Sequence, residues 1–226
     1  MSKKILGILE LENRPITLPG ALCAPGSFPF PVKRLTVPGA TSKSVVDGDE
    51  ALKDAYIRTA HTLATEGATA ITTNCGFSAI YQNDVAAAVS VPVALSSLLL
   101  VPFMARTLPP GRKIGILTFD ANKLEERHFA AAGWSSKDID IAVIGIEGSE
   151  TWRQLSDPIP DASSKLILDD VTKAANTLRR REPTVGAFLF ECAGFTLASS
   201  TVRRETGLPV CDFVNLGNMI ASVGID

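Results

Sequence analysis

The sequence predicts an α/β fold of two similar half-domains, each an open parallel sheet flanked by helices. Short runs of β-branched and apolar residues alternate with helix-length amphipathic stretches, which is the pattern of parallel strands joined by crossover helices. The second half of the chain also echoes the first in order and spacing. At 226 residues, the chain is long enough for both halves. We expect a pseudo-twofold relation between the halves and a ligand cleft between them.

The apolar runs and the turn residues around them set the predicted elements. Asp47 and Asp49 are N-cap candidates for the first long helix, and Gly67 is placed to end it. His61 and His128 fall in predicted helices and are expected to face solvent. Strands are expected at 5–10, 32–37, 68–74, 91–95, 113–119, 141–146, 185–191 and 209–212, and helices at 49–66, 79–89, 122–132, 163–181 and 196–206.

The segment 11–31 differs from the rest because it contains five prolines and two glycines. It is too long for a simple connection, so an ordered loop with a function is predicted. Because the loop follows the first strand directly, it leaves the sheet at the carboxyl end of that strand. We therefore expect it to cover the cleft.

Two cysteines mark the internal repeat. The motif TTNCGF at 72–77 is echoed by ECAGF at 191–195, and Cys192 follows Cys75 by 117 residues. Pro92 and Pro209, which precede the next strands, are separated by the same 117 residues. The repeat predicts a first half-domain at 1–108 and a second at 109–226. A crossing of the first strand or the last helix into the other half is left open.

The position of the two cysteines suggests proton-transfer chemistry. Ligands of open parallel sheets bind beyond the carboxyl ends of the strands, which is where both thiols are expected. Two facing half-domains would hold one thiol on each side of a small planar intermediate. Free N–H groups at a helix start lower a thiol pKa, so one of the pair is expected as a thiolate near neutral pH. Gly76, Ala193 and Gly194 let the backbone approach a carboxylate or enolate oxygen.

These motifs and the duplicated layout resemble the aspartate/glutamate/hydantoin racemase superfamily. The resemblance spans essentially the whole chain, and the segment 117–127 is similar to the branch with maleate isomerases and arylmalonate decarboxylases. The Ala-Gly after Cys192 is closer to the hydantoin racemases. The resemblance implies that Cys75 and Cys192 are the catalytic pair and that they act without a cofactor on a carbon next to a carbonyl.

Further residues are candidates for substrate binding. Asn13 follows the first strand and is either a substrate contact or an ordinary turn residue, and Phe77 either walls the cleft or anchors its helix. Thr118 ends the fifth strand at the repeat position of Glu10. Glu191 matches Asn74 in the repeat and is expected to bring a negative charge, which would disfavour a second substrate carboxylate and raise the pKa of Cys192. The substrate-binding set is Asn13, Asn74, Gly76, Phe77, Thr118, Glu191, Ala193 and Gly194.

Three functions remain open at this point. The first is a racemase or epimerase, an isomerase that moves a proton at the carbon next to the carbonyl of a small amino acid or derivative. The second is a decarboxylase or cis-trans isomerase of a small dicarboxylate. The third is a binding module for a small ligand without catalysis. No lysine motif suggests pyridoxal phosphate and no His/carboxylate cluster suggests a metal, so no cofactor is expected.

Charge and composition exclude several partners. The net charge is −2, and the longest block of like charges is 179–181, so nucleic acid is not expected. The uncharged stretch 85–105 contains Pro92 and Pro102, which argues against a membrane span. We expect a cytoplasmic protein with reduced cysteines whose partner is a small substrate bearing a carboxylate or amide. Whether the chain forms a homo-oligomer is left open.

Overall fold

The computed structural model describes residues 4–224, so the outermost residues of the predicted half-domains, 1–3 and 225–226, lie outside the described part. Two four-stranded sheets form the framework, and every strand pairing is parallel. The orders β2-β1-β3-β4 and β6-β5-β7-β8 are the same topology used twice. The predicted α/β class with two similar parallel sheets is therefore confirmed. The strands are β1 (Leu6–Glu10), β2 (Val32–Thr36), β3 (Ala70–Thr73), β4 (Val93–Ala94), β5 (Lys113–Thr118), β6 (Ile141–Gly145), β7 (Val185–Phe190) and β8 (Val210–Cys211).

Each predicted strand is present in residues 4–224, shortened by one to three residues. The central strands β1, β3, β5 and β7 are buried along nearly their whole length, because helices cover both faces of each sheet. Continuous apolar runs in the sequence are the expected signature of such strands. The edge strand β2 alternates between exposed and half-buried residues.

The helices agree less completely with the sequence. All five predicted helices are found, but the two motif helices and the first long helix begin as 3-10 turns, at Gly76–Tyr81, Ala193–Ala198 and Glu50–Leu52. Asp49 caps the last of these, and Gly67 follows α2 with a φ of +95°. The sequence did not predict α1, α4, α6 and α9. The α-helices are α1 (Ser42–Val46), α2 (Lys53–Thr65), α3 (Gln82–Ala88), α4 (Val101–Thr107), α5 (Glu126–Ala131), α6 (Glu150–Ser156), α7 (Ser164–Arg181), α8 (Ser199–Thr206) and α9 (Phe213–Ser222).

The two sheets share a core at their junction. The 3-10 helix Ser97–Leu100 lies between them: Ser97 Oγ donates to the carbonyl of Phe190 at 2.8 Å, and Trp134 Nε1 donates to that of Leu98 at 3.0 Å. The last helix, α9, contacts β3 and β4 of the first sheet. The division at residue 108 stays a prediction; of the two elements left open to cross it, β1 pairs within the first sheet and α9 packs across onto that sheet.

The loop 11–31 contains neither helix nor strand, as predicted. Its Phe28 is buried against Gly217 of α9, where an added Cβ would lie 2.7 Å from the Phe28 ring. This close approach holds the far end of the loop against α9, while its beginning bonds to the segment after α6.

Candidate active site

Cys75 and Cys192 lie at matched strand ends. Cys75 follows β3 and Cys192 follows β7, and each precedes a 3-10 helix as its N-cap residue. The residue before each cysteine bonds to the adjacent strand in the same way: Asn74 N donates to the carbonyl of Leu9 at 3.1 Å, and Glu191 N to that of Leu117 at 2.8 Å. The repeat in the sequence therefore corresponds to one repeated backbone arrangement.

Both cysteines line a single cavity of about 90 Å³ between the two halves. Each thiol residue is half-buried, so both thiols are partly accessible from the cavity. The structure brings together nine of the ten residues named from the sequence: Asn13, Asn74, Cys75, Gly76, Phe77, Glu191, Cys192, Ala193 and Gly194.

Thr118 is the exception, because it lies outside the cavity lining. Its side chain is fully buried behind Glu191, and its hydroxyl donates to Glu191 Oε2 at 2.8 Å. Thr118 therefore contacts a cavity residue rather than the cavity. Sequence reasoning placed it correctly at the strand end but did not give the direction of its side chain.

Several lining residues were missed by sequence reasoning. Phe119 comes from the second half, directly after β5, while Leu155 and Pro160 come from α6 and the segment that follows it. The exposed Arg14 is a cation that lines the cavity. The sequence feature that could have indicated it is its position in the proline-rich loop that was expected to cover the cleft. The remaining lining residues are mostly apolar: Leu11, Pro15, Ile16, Leu22, Cys23, Ser42 and Val46.

Asn13 joins the two halves above the cavity. Its Oδ1 accepts from Ser42 N at 2.7 Å, and its Nδ2 donates to the carbonyl of Asp157 at 2.9 Å. Next to it, Arg14 N donates to the carbonyl of Pro158 at 2.9 Å. Both polar atoms of the Asn13 amide are thus used in the protein, which makes this residue a link between the loop and α6.

The pKa of both site thiols is raised, which corrects the expectation of a thiolate near neutral pH. Burial raises the pKa of Cys75 to about 12, and the carboxylate of Glu191 contributes to the rise. The same two causes raise the pKa of Cys192 well above its ordinary value. Backbone N–H groups of the following turns do lower both values, as predicted, but burial outweighs them.

Glu191 also differs from expectation. It is fully buried, and burial raises its pKa to about 8 in spite of the hydrogen bond from Thr118 and one from the backbone N–H of Phe119. At neutral pH the protonated, uncharged acid therefore predominates, so the expected negative charge is absent there. The predicted effect on Cys192 is confirmed for the ionised form of Glu191.

His128 is fully buried, so the expectation that it faces solvent was wrong, whereas His61 is exposed. The His128 ring packs edge-on against Phe77, with 5.2 Å between the ring centroids. Its Nδ1 accepts from Glu125 N at 3.0 Å, and Nε2 has no partner among the described residues. The burial of His128 follows from the packing of α5 on the turn after Cys75.

Residues 4–224 contain neither a metal-binding cluster nor a membrane-spanning helix. No group of three or more His, Cys, Asp or Glu side chains in this range is arranged to hold a metal ion. Within the same range, every helix is too short or too polar to cross a membrane.

The sequences of curated relatives show the family to which this chain belongs. A dimethylsulfoniopropionate lyase from Durusdinium sp. clade D is 30% identical over 219 residues, covering 92% of this chain and 71% of the relative. The chain belongs to the family of this lyase. A second family member, dimethylsulfoniopropionate lyase 3 of Emiliania huxleyi, is 27% identical over 96% of this chain, which spans 59% of the relative's length. No protein-family model matches the chain.

Solved structures of other proteins share the fold of this chain. A mutant of arylmalonate decarboxylase matches with a TM-score of 0.65 and 15% identity, covering 97% of this chain and 92% of the other. Allantoin racemase from Klebsiella pneumoniae matches with a TM-score of 0.62 and 17% identity, covering 98% and 87%. The chain therefore has the fold that its resemblance to the aspartate/glutamate/hydantoin racemase superfamily implied.

Proposed function

We propose that this chain is a lyase that uses a cysteine thiolate to remove the proton next to a substrate carboxylate and expels a group from the neighbouring carbon. The observation that carries the proposal is the placement of a thiol at a strand end in a small cavity that also holds an arginine and two aromatic rings. The name of the relatives favours elimination over inversion and suggests dimethylsulfoniopropionate as the substrate. The isomerase predicted from the sequence is accordingly the second candidate.

The elimination balances without a further reactant. The thiolate takes a proton from the carbon next to the carboxylate, and the electrons of that C–H bond form the new C=C bond. The C–S bond breaks and its electron pair leaves with sulfur, which gives dimethyl sulfide and acrylate. The proton stays on the thiol and is later released to water. A positioned general base of this kind contributes about 10²–10⁴-fold in rate.

The cavity suits a small zwitterion. The Arg14 guanidinium is available for the carboxylate, together with N–H groups of the turns after Cys75 and Cys192. Phe77 and Phe119 contribute one aromatic ring from each half, and ring faces attract cations such as a sulfonium. The apolar walls exclude water, which favours proton removal from carbon.

The second thiol favours the other candidate. Inversion at carbon needs a proton acceptor on one face and a donor on the other, whereas elimination needs only one base. A racemase or epimerase of a small amino acid or derivative would therefore use both Cys75 and Cys192. Decarboxylation or cis-trans isomerisation of a dicarboxylate and ligand binding without turnover are the remaining outcomes of the test.

The test measures products directly. The purified protein is incubated with dimethylsulfoniopropionate, dimethyl sulfide is measured by headspace gas chromatography, and acrylate by liquid chromatography. A panel of amino acids, hydantoins and small dicarboxylates is incubated in deuterium oxide, and exchange of the proton next to the carbonyl is followed by NMR. Cys75→Ser and Cys192→Ser are compared with Cys211→Ser, a control because Cys211 lies in β8 outside the cavity lining.

The outcomes separate the candidates. For a lyase we expect dimethyl sulfide and acrylate in equal amounts, a loss of at least about 10²-fold in one of the two site variants, and a smaller loss in the other. Proton exchange with inversion in the panel, abolished by either substitution, would replace the lyase with the racemase. Absence of any turnover by the folded protein would refute both.

A further inference from the structure

Glu191 lies close enough to both site thiols for its charge to act on each of them. Its chain neighbour is Cys192, and its side chain lies against the turn that begins at Cys75 in the other half. A Cβ added to Gly76 would lie 2.6 Å from Glu191 Cδ and would overlap both the Oε1 and the backbone carbonyl oxygen of Glu191. Glycine at position 76 therefore makes room for this carboxyl group.

The two carboxyl oxygens of Glu191 have different surroundings. Oε2 accepts from the Thr118 hydroxyl at 2.8 Å, and a backbone N–H of Phe119 also bonds to the carboxyl group. Oε1 is buried, and among the described residues it has no hydrogen-bond partner. A buried oxygen that lacks a partner costs least when the group carries no charge.

The repeat supports an uncharged role. Asn74, the matched residue in the first half, accepts from Leu11 N at 3.0 Å through its amide oxygen. Leu11 and Phe119 follow the matched strands β1 and β5. The neutral Asn74 amide therefore accepts from Leu11 N in the first half as the Glu191 carboxyl group accepts from Phe119 N in the second. Protonated Glu191 has nearly the shape of glutamine, and the fold therefore does not require its charge.

The groups that face Glu191 do not compensate a negative charge. The first half contributes the thiol of Cys75, the second contributes Cys192, and β5 with the residue after it contributes one hydroxyl and one amide. No ion pair joins Glu191 to a Lys, Arg or His within residues 4–224, and Arg14 is the cation that lines the same cavity. Ionised Glu191 would therefore repel a neighbouring thiolate.

We infer that Glu191 serves the two-thiol site as a neutral, proton-bearing side chain, and that loss of its proton suppresses the thiolates of Cys75 and Cys192. Glu191 is thus a positioning residue that sets the charge of the site. The inference rests on the proposed function only in taking a thiolate as the base. Its physical content, the coupling of one carboxyl group to two thiols, holds for a lyase and a racemase alike.

Thiol alkylation tests this coupling without any substrate. Iodoacetamide reacts with thiolates, and mass spectrometry gives the rate at each cysteine from about pH 6.5 to 10. In the wild type, the rates at Cys75 and Cys192 should rise with pH, level off over about one pH unit above pH 8, where Glu191 ionises, and then rise again. In Glu191→Gln the rise should continue, so that the variant reacts about ten-fold faster than the wild type near pH 9.5, one thiol pKa unit. Near pH 6.5 the two proteins should agree within about two-fold.

Two further variants keep the test decisive. Glu10→Gln is the matched control, because the Glu10 carboxylate accepts from Cys23 Sγ at 3.4 Å; it should change alkylation at Cys23 only. Thr118→Val removes the hydroxyl that lowers the pKa of Glu191, so the levelling should begin at a higher pH. Superimposable profiles of wild type and Glu191→Gln, or slower alkylation of the variant near pH 9.5, would overturn the inference. Failure to cleave dimethylsulfoniopropionate would refute the proposed lyase and leave the alkylation result unaffected.

Discussion

Replacing Gly76 by alanine tests the contact between the two halves at the candidate active site. The Gly76 φ is not in the left-handed region, so alanine is compatible with the backbone and the effect comes from packing. The added Cβ would lie 2.6 Å from Glu191 Cδ, about 0.8 Å closer than the 3.4 Å at which ordinary contact begins. It would also overlap the backbone carbonyl of Glu191, which side-chain motion cannot relieve. Either the strand end or the turn must move.

The expected cost follows from these contacts. Overpacking a well-packed site lowers the free energy of unfolding by about 1–3 kcal/mol. Replacing glycine by alanine also restricts the unfolded chain, which raises the free energy of unfolding by about 0.4–1 kcal/mol. We expect a net loss of about 1–2 kcal/mol, which lowers Tm by about 2–8 °C in a chain of this length. Activity should also fall, because the displaced turn carries Cys75.

Thermal and urea unfolding of Gly76→Ala measure this loss. Gly194→Ala is the matched control in the other turn, since its added Cβ would meet only the flexible end of Leu155, at 3.3 Å, and Cys192 Sγ, at 3.6 Å. We expect the control to change stability by no more than about 0.5 kcal/mol. Equal Tm values for Gly76→Ala and Gly194→Ala would refute the reasoning.

Three further predictions concern residues around the cavity. Burial lowers the pKa of His128 below its ordinary 6.5, so its contribution to stability is complete above pH 6.5 and is lost as pH falls towards the lowered pKa. Urea unfolding from about pH 7 to 5 should show a declining free energy of unfolding, and the decline should be smaller in His128→Gln. An equal decline in the variant would contradict this. Asn13→Ala should destabilise by about 1–3 kcal/mol in urea unfolding, because its bond to Asp157 across the halves and its bond from Ser42 within the first half are both lost, whereas alanine at the exposed Asn83 should cost little. Arg14→Gln should raise KM for dimethylsulfoniopropionate about ten-fold with a smaller effect on kcat, and an unchanged KM would exclude Arg14 from carboxylate binding.

The sequence alone determined the framework and the two central residues. The strands were predictable because buried parallel strands are continuous apolar runs, and this local signal survives in the structure almost unchanged. Cys75 and Cys192 could be paired because their motifs recur at a fixed separation of 117 residues. The topology then requires repeated strand ends to reach equivalent positions, so a common cavity follows from the repeat.

The short helices depended on tertiary contacts. α4 begins within an uncharged stretch that shows no helical periodicity, and α1 has only five residues. Helices of this length are not stable alone, and their residues become helical when the rest of the fold packs around them. Ser149 was a signal for α6, because its side chain accepts from Trp152 N, but a single cap residue does not define a helix.

Burial decided the charges and directions of the site side chains. Glu191 is uncharged at neutral pH, both thiols are protonated, and His128 is internal, because each lies where the two halves pack together. The pKa of each of these buried groups depends on how far residues from distant parts of the chain exclude water from around it. Sequence patterns specify which residue stands at a strand end, while the dielectric around it and the direction of its side chain arise only when the second half is folded against the first.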